Sequence, residues 1–181
     1  MVKSAYSISN VKEKIENHII VVWVDNEAGV LARVIGLFSG RGYNIDSLAV
    51  AEVDKKKNIS RITISTSGTT QVLQQIKLQL GKLIPVHKVA GFPKNKKTLL
   101  REMALLKVVS SKAKLEKARK LCKKYKYTVL DKTEKSFVLE VSALKKEIDD
   151  LVKKLQPLGL ASTSRTGVVA MTKGPEIYKQ N

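Results

Sequence analysis

The spacing of apolar residues changes in an orderly way along the first half of the chain. A continuous, mostly β-branched run at 18–24 is followed by the turn formers Asp25 and Asn26, which predicts a buried strand. From Val30 to Phe38 the apolar residues recur at intervals of three and four, which is typical of one helix face. The complete pattern predicts strands at 18–24, 44–53, 59–66 and 86–89, and helices at 30–38 and 72–83.

The second half of the chain repeats this order. Its apolar pattern predicts strands at 101–109, 127–132, 135–142 and 160–171, and helices at 111–124 and 144–155. Gly167 interrupts the last strand, and a Gly-, Pro- and Lys-containing segment separates the two halves.

Two βαββαβ units predict an α+β fold with two ferredoxin-like domains, each an antiparallel sheet with both helices on one face. The expected division is an N-terminal extension at 1–17, a first unit at 18–91, a linker at 92–99, a second unit at 100–173 and a tail at 174–181. Each sheet is expected to leave one face bare and its edge strands exposed, so we expect a homodimer.

The chain is strongly basic, with a formal net charge of +18 that comes mostly from lysine. Residues 1–93 carry +5 and residues 94–181 carry +13. We interpret the surplus as a lysine-rich solvated surface, because aromatic residues do not alternate with the basic ones as base stacking requires. An acidic protein partner and nucleic acid are the alternatives. We expect no nucleic acid and no membrane as partners.

The apolar runs are too short for a membrane span, and the N-terminus lacks the apolar core of a secretory signal. Cys122 is the only cysteine, so it cannot form a disulfide within the chain, and it lies at a core-facing helix position. A single reduced cysteine is typical of a reducing compartment. We therefore expect a cytoplasmic protein, or a plastid stromal one if the chain is organellar.

Known catalytic and metal-binding motifs are absent from the sequence, so we predict no catalytic residue and no metal site. We expect ordinary polar or core positions for His18 and His87. Glu147, Asp149 and Asp150 lie among the lysines of the same predicted helix, which indicates a solvated helix surface.

One segment has the chemistry of a ligand site: the connection from the first strand to the first helix. Asn26 is a polar residue at the strand end, and Gly29 permits close approach of a ligand to the backbone. The helix start that follows presents free N–H groups and a partial positive charge, which suit a small carboxylate. Asn44 follows the same helix at its other end, so a site that includes both asparagines needs a second subunit. Alternatively, both asparagines only cap turns.

The segment from Asp25 to Leu31 resembles the amino-acid-binding loop of ACT domains. Together with 33–38, 41–45 and 47–48, it resembles the small regulatory subunit of acetohydroxyacid synthase, also called acetolactate synthase. Residues 101–105 and 165–170 resemble the start and end of that family's C-terminal domain, and the likeness extends over 18–173.

The resemblance implies a non-catalytic regulatory subunit in branched-chain amino acid biosynthesis. Such a subunit binds the catalytic large subunit, raises its activity and confers feedback inhibition, commonly by L-valine. Thiamine diphosphate, magnesium and FAD are expected only in the catalytic subunit, and no cofactor in this chain. The implied effector residues are Asn26, Gly29, Val30 and Leu31 of one subunit with Asn44 and Ile45 of the other, and secondarily Ala51 and Gln75.

Two other functions remain as alternatives. One is a standalone ACT-type amino-acid sensor, against which the Arg165–Val169 motif argues. The other is a basic RNA-binding protein, which would need aromatic residues on central strands such as 59–66, where there are none.

Overall fold

A computed structural model describes residues 15–92 and 97–175 of the chain. The strands in this part are β1 (Glu16–Asp25), β2 (Ser47–Asp54), β3 (Ile59–Gly68), β4 (Val86–Phe92), β5 (Thr98–Val109), β6 (Tyr127–Lys132), β7 (Ser136–Ala143), β8 (Leu160–Arg165) and β9 (Val169–Thr172). The α-helices are α1 (Val30–Ser39), α2 (Thr70–Leu80), α3 (Lys112–Cys122) and α4 (Lys145–Leu155), and a short 3₁₀ turn, Gln156–Leu158, follows α4.

The predicted fold class is confirmed. The first sheet has the order β2-β3-β1-β4 and the second the order β6-β7-β5-β8, with every strand pair antiparallel. Both units thus have the ferredoxin-like order, in which the two central strands are the first and third of each unit. The break predicted at Gly167 also occurs, since β8 ends at Arg165 and β9 begins at Val169.

Several predicted boundary segments fall partly outside the described residues: 1–14 of the extension, 93–96 of the linker and 176–181 of the tail. β1 begins at Glu16 and β5 begins at Thr98, both earlier than the apolar pattern predicts. The first four residues of β5 pair only with β9, and they form a two-stranded ribbon that extends from the second sheet.

Each sheet packs its helix-covered face into a separate core. In the first unit the buried side chains of this core include Ile20, Val22, Val34, Phe38, Ile62, Ile64, Leu73 and Ile76. In the second unit they include Leu106, Val108, Leu115, Cys122, Phe137, Leu139, Ile148 and Leu151. Cys122 is fully buried, as its helix position predicts. None of the helices among the described residues is long and apolar enough to cross a membrane.

The expectation that the first sheet has a bare face is wrong. The face opposite its helices carries Ile19, Val21 and Trp23, which form a third buried cluster with Val168 and Ala170 from the C-terminal end of the chain. The Arg61 guanidinium lies 5.4 Å from the Trp23 ring centroid, a cation–π distance, and donates to the Ala170 carbonyl. The chain's own C-terminal segment therefore covers this face and joins the two units.

Candidate ligand-binding site

The turn between β1 and α1 is built around Gly29. This residue has φ +83°, a left-handed conformation that side chains rarely adopt, and a Cβ added to it would meet no atom within 4 Å. It is followed by Val30, which is buried in the core, and by Leu31, which is 37% exposed. The sequence thus places an open space, bounded by backbone and one exposed aliphatic side chain, at the start of α1.

The N-terminus of α1 is uncapped. In the described part of the chain no side chain accepts a hydrogen bond from its first turn, where the Val30 N–H lies 3.4 Å from the Glu27 carbonyl, and that turn contains no acidic residue. The first N–H groups of a helix have no intrahelical acceptor and carry a partial positive charge. An anionic group placed over Gly29 would therefore find donors there.

Asn26 lies beside this turn and is held in place by the β2–β3 turn. Its backbone N–H donates to the Asn58 carbonyl at 2.7 Å, and its side-chain Oδ1 accepts from the Ser60 hydroxyl at 2.9 Å. No described residue contacts the Nδ2 of Asn26 through a hydrogen bond, so this donor is available to a ligand. The side chain thus stabilises the turn, and its Nδ2 donor is unpaired among the residues that the structure describes.

Asn44 is held at the other end of α1. Its carbonyl accepts from the Thr66 hydroxyl at 2.6 Å, and its Nδ2 donates to Asp46 Oδ1 at 2.8 Å. The other carboxylate oxygen of Asp46 accepts from Asn17 and from Ser67, both at 2.8 Å. The segment that precedes β2 is therefore anchored, while Asn44 Oδ1 has no hydrogen-bond partner in the described parts of the chain.

The two groups of predicted effector residues are far apart within one chain. α1 has ten residues, and at 1.5 Å per residue its ends are about 15 Å apart. Asn26, Gly29, Val30 and Leu31 lie at its start, whereas Asn44 and Ile45 follow its end. The single chain does not bring them together.

The two secondary candidates lie on different faces of the first sheet. Ala51 pairs with Arg61 on the face opposite the helices and lines a cavity of about 560 Å³ with Val50 and Thr166. Gln75 is exposed on α2, one turn before Gln79, which accepts a hydrogen bond from Arg41. Ala51 and Gln75 therefore do not adjoin one another within one chain, and their secondary role in the effector site stays a prediction.

A network of charged side chains in the second unit was not predicted from the sequence. Arg165 donates from Nε and Nη2 to the two carboxylate oxygens of Glu102, at 2.7 and 2.8 Å, and from Nη1 to Asp149 at 2.6 Å. Asp149 lies on the helix surface as predicted, with its side chain 38% exposed, and it also belongs to this network. The hydrogen bonds that Arg165 donates to Glu102, and to a lesser extent to Asp149, raise the pKa of Arg165 above its ordinary value in spite of its partial burial.

The sequence contains one signal for this network. Glu102 is 3% exposed and alternates with Ala104 and Leu106 on the core side of β5. A carboxylate in phase with core positions requires a cationic partner, because burying it alone is very unfavourable. The identity of that partner depends on the antiparallel pairing of β5 with β8, which the local pattern does not reveal.

Among the described residues, no group of three or more His, Cys, Asp or Glu side chains is arranged to hold a metal ion. His87 Nε2 lies 2.6 Å from Asp25 Oδ1 and ties the start of β4 to the end of β1. Burial raises the pKa of the Cys122 thiol to about 11, which keeps it neutral and unreactive.

Comparison with known families agrees with this architecture. Residues 20–88 match a family described as the acetohydroxyacid synthase small subunit-like ACT domain. The ferredoxin-like sheet, with its glycine turn before α1, is therefore an ACT domain. Residues 101–174 match a second family, described as the small subunit of acetolactate synthase.

Similar proteins extend over nearly the whole chain. The acetolactate synthase small subunit of Aquifex aeolicus is 37% identical over 171 residues, 93% of this chain and 88% of the relative. The acetolactate synthase isozyme 3 small subunit of Salmonella typhimurium is 34% identical, over 89% of this chain and 98% of the relative. The crystal structure of the Thermotoga maritima small subunit superposes with a TM-score of 0.80 at 29% identity, covering 89% of this chain and 99% of that one. The chain belongs to the family of acetolactate synthase small subunits.

Proposed function

We propose that this chain is the regulatory subunit of an acetolactate synthase in branched-chain amino acid biosynthesis. It binds the catalytic large subunit, raises its activity and confers feedback inhibition by L-valine or another branched-chain amino acid. The reaction and its cofactors, thiamine diphosphate, magnesium and FAD, belong to the catalytic subunit. The observation that carries the effector site is the uncapped start of α1 behind Gly29, and family membership supports the rest.

The carboxylate of the effector is assigned to the start of α1. The N–H groups of the first turn have no side-chain acceptor among the described residues, and Gly29 has no side chain to occupy the space in front of them. The free Nδ2 of Asn26 adds a donor. Anions bind at helix N-termini for these two reasons, the free N–H groups and the helix dipole.

The rest of the effector is assigned to residues of a second copy. The free Oδ1 of Asn44 is a suitable acceptor for the ammonium group. Leu31 is 37% exposed, and with Ile45, which is only partly buried, it offers aliphatic surface to a branched side chain. Because the two ends of α1 are about 15 Å apart, a small amino acid reaches both groups only when they come from different chains.

The topology indicates how two copies would meet. α2 contacts β1 and β4, so α1 covers the other half of the sheet, over β3 and the edge strand β2. Val50 and Val53 of β2 are 44% and 48% exposed, which leaves an apolar edge. If two copies pair through β2 about a two-fold axis, their α1 helices run antiparallel and side by side. The start of one α1 then lies beside the end of the other, which assembles the site.

Isothermal titration with L-valine, with D-valine as the control, tests the effector site in the full chain. We expect stereospecific binding at one site per chain. Activity assays of the catalytic large subunit, with and without the chain, test the two regulatory effects. Absence of heat with L-valine, L-leucine and L-isoleucine would contradict the effector assignment, and unchanged large-subunit activity would contradict the partnership.

Mixing two inactive variants tests whether the site is shared. Gly29→Asp blocks one half of the site and Asn44→Ala removes the other, so neither variant alone should bind L-valine. After subunit exchange, half of the dimers are hybrids with one intact site each, so about a quarter of the wild-type sites should return. If mixing restores no binding, the site does not combine residues of two chains in this way.

A further inference from the structure

Residues 165–170, here called the connecting segment, contact both units. At its beginning Arg165 is bound to Glu102 of β5 and to Asp149 of α4, at distances between 2.6 and 2.8 Å. Thr166 donates from its backbone N–H to the Met103 carbonyl at 3.1 Å. This end of the segment is therefore held firmly to the second unit.

The other end of the connecting segment is buried against the ACT domain. Val168 and Ala170 are 6% and 3% exposed in the cluster that contains Trp23 and Phe92. The Val168 N–H group also points at the Ser47 hydroxyl, 3.4 Å away. The segment thus connects the charged network of the second unit to the open face of the first sheet.

Gly167 lies between these two ends, in contact with the start of β2. It has φ +79°, and a Cβ at this position would lie 3.2 Å from Ser47 Cβ and 3.4 Å from the Leu48 carbonyl oxygen. Ser47 begins β2 and directly follows Asp46, whose side chain holds Asn44. The contact is therefore only three residues along the chain from a proposed effector ligand.

We propose that the contact of Gly167 with Ser47 transmits effector occupancy from the ACT domain to the C-terminal unit. Binding at Asn44 and Ile45 shifts the short anchored segment before β2, and Ser47 moves with it. The closely packed connecting segment follows, and because Arg165 is bound at three points, the shift reaches β5 and α4. This inference rests on the proposed effector site, and it adds the route by which that site acts on the rest of the chain.

Two glycine substitutions separate the contact from backbone strain. Gly174 has φ +77°, nearly the same conformation as Gly167, but a Cβ added to it would meet no atom within 4 Å. Gly167→Ala and Gly174→Ala therefore impose similar conformational strain, and only the first presses on Ser47. Ser47→Gly in the Gly167→Ala chain removes the Cβ on the opposite side and should restore the space.

The experiment measures L-valine binding by titration and hydrogen exchange of residues 100–165 with and without L-valine, in the full chain. In the wild type and in Gly174→Ala, we expect L-valine to change exchange in β5 and α4. In Gly167→Ala, binding should persist while this change is lost, and the L-valine concentration for half-inhibition of the holoenzyme should rise about fivefold or more. The double variant regains the space but lacks the Ser47 hydroxyl, so its exchange response should recover to the level of Ser47→Ala.

A second single variant covers the case in which Gly167→Ala does not fold. Ser47→Ala removes only the hydroxyl that faces the Val168 N–H and leaves the backbone unstrained, and it should weaken the exchange response with binding retained. If L-valine changes hydrogen exchange in β5 and α4 as much in Gly167→Ala, or in Ser47→Ala in its place, as in Gly174→Ala, the inferred route is overturned. The proposed effector site is not affected by that outcome. If the wild type binds no branched-chain amino acid, the proposed function fails as well.

Discussion

At the scale of single residues, Gly29 carries the clearest expectation about the ligand site. Gly29→Asp places a carboxylate in the open space before α1, where the effector carboxylate is assigned. We expect affinity for L-valine to fall at least about tenfold, or 1.4 kcal/mol, because two like charges would share one set of donors. Activation of the large subunit should remain. Titration and a coupled activity assay measure the two effects separately.

Two controls isolate the charge at this position. Gly29→Asn has a similar shape without the charge, and asparagine tolerates the left-handed conformation, so it should bind more tightly than Gly29→Asp. Gly174→Asp adds the same charge at a similar φ to a residue outside the proposed effector set and should bind normally. Equal L-valine sensitivity in Gly29→Asp and the wild type would refute the placement of the carboxylate.

Cys122 provides a test of the second core. Its thiol is fully buried, and burial raises its pKa to about 11, so at pH 8 the folded chain presents almost no thiolate. We expect Ellman's reagent to react slowly with the native protein and rapidly in urea, where the pKa returns to its ordinary value. Raising the pH from 8 to 9 should increase the thiolate fraction about tenfold in the native chain, where the pH stays well below the pKa of the thiol, but only about threefold in the unfolded chain, whose thiol passes through its ordinary pKa of about 8.5. Rapid stoichiometric labelling of the native chain would show that this core opens readily.

At the scale of elements, helix α1 contains a glycine, Gly36, at a position where the backbone conformation does not require one. Gly36 is exposed in the middle of α1, and a Cβ added there would meet no atom within 4 Å. Gly36→Ala should therefore stabilise the chain by about 0.5–1 kcal/mol in urea unfolding, because alanine favours the helix.

Gly42 is the matched control for this prediction. It also has open space around it, but its φ is +67°, so Gly42→Ala should destabilise the chain by about 1–2 kcal/mol. A loss of stability or of L-valine binding in Gly36→Ala would indicate that a second copy approaches α1 more closely than a methyl group allows.

At the scale of the whole molecule, the junction of the two units depends on the buried side of β9 and the residue before it. Val168→Asp places a charge in the cluster with Trp23, which is the only tryptophan in the chain. We expect the fluorescence emission of Trp23 to shift to the red. The free energy of unfolding should fall by several kcal/mol, as for an unpaired buried charge. Emission spectra and urea titration provide the measurement.

The neighbouring residue is the control for this junction. Val169 is 47% exposed, so Val169→Asp should leave both the emission maximum and the stability nearly unchanged. If both variants behave alike, the connecting segment is not held against the ACT domain as described.

Most of the order of helices and strands followed from the spacing of apolar residues. Each unit buries one face of each helix and one face of each strand, and apolar residues recur every three or four positions in the helices but every two in the strands. The βαββαβ order in turn limited the sheet topology to the ferredoxin-like arrangement. The predicted start of β1 was too late because the polar residues Glu16 and Asn17 precede its apolar run, and β5 also begins three residues before its predicted start, where Thr98, Leu99 and Leu100 pair with β9. Long-range pairing extends these strands, and it leaves no trace in a local window.

The local geometry of the proposed ligand site was predictable in part for a similar reason. A left-handed glycine and an uncapped helix start are local features, so the segment around Gly29 could be recognised from its residues. The separation of Asn26 from Asn44 also followed from helix length. Which other side chains support Asn26 could not be predicted, because Ser60 and Asn58 reach it only through the pairing of β1 with β3.

By itself, the sequence determined two α+β units, a core position for Cys122 and a glycine turn suited to a carboxylate, since all three depend on short-range spacing. Only the tertiary structure decided how the units join. It buries Glu102 against Arg165, assigns Asp149 to the same network and covers the first sheet with Val168 and Ala170. These contacts connect residues more than sixty positions apart or on separate elements. Their partners are selected by the pairing of β5 with β8 and β9 and by packing, and not by any local periodicity.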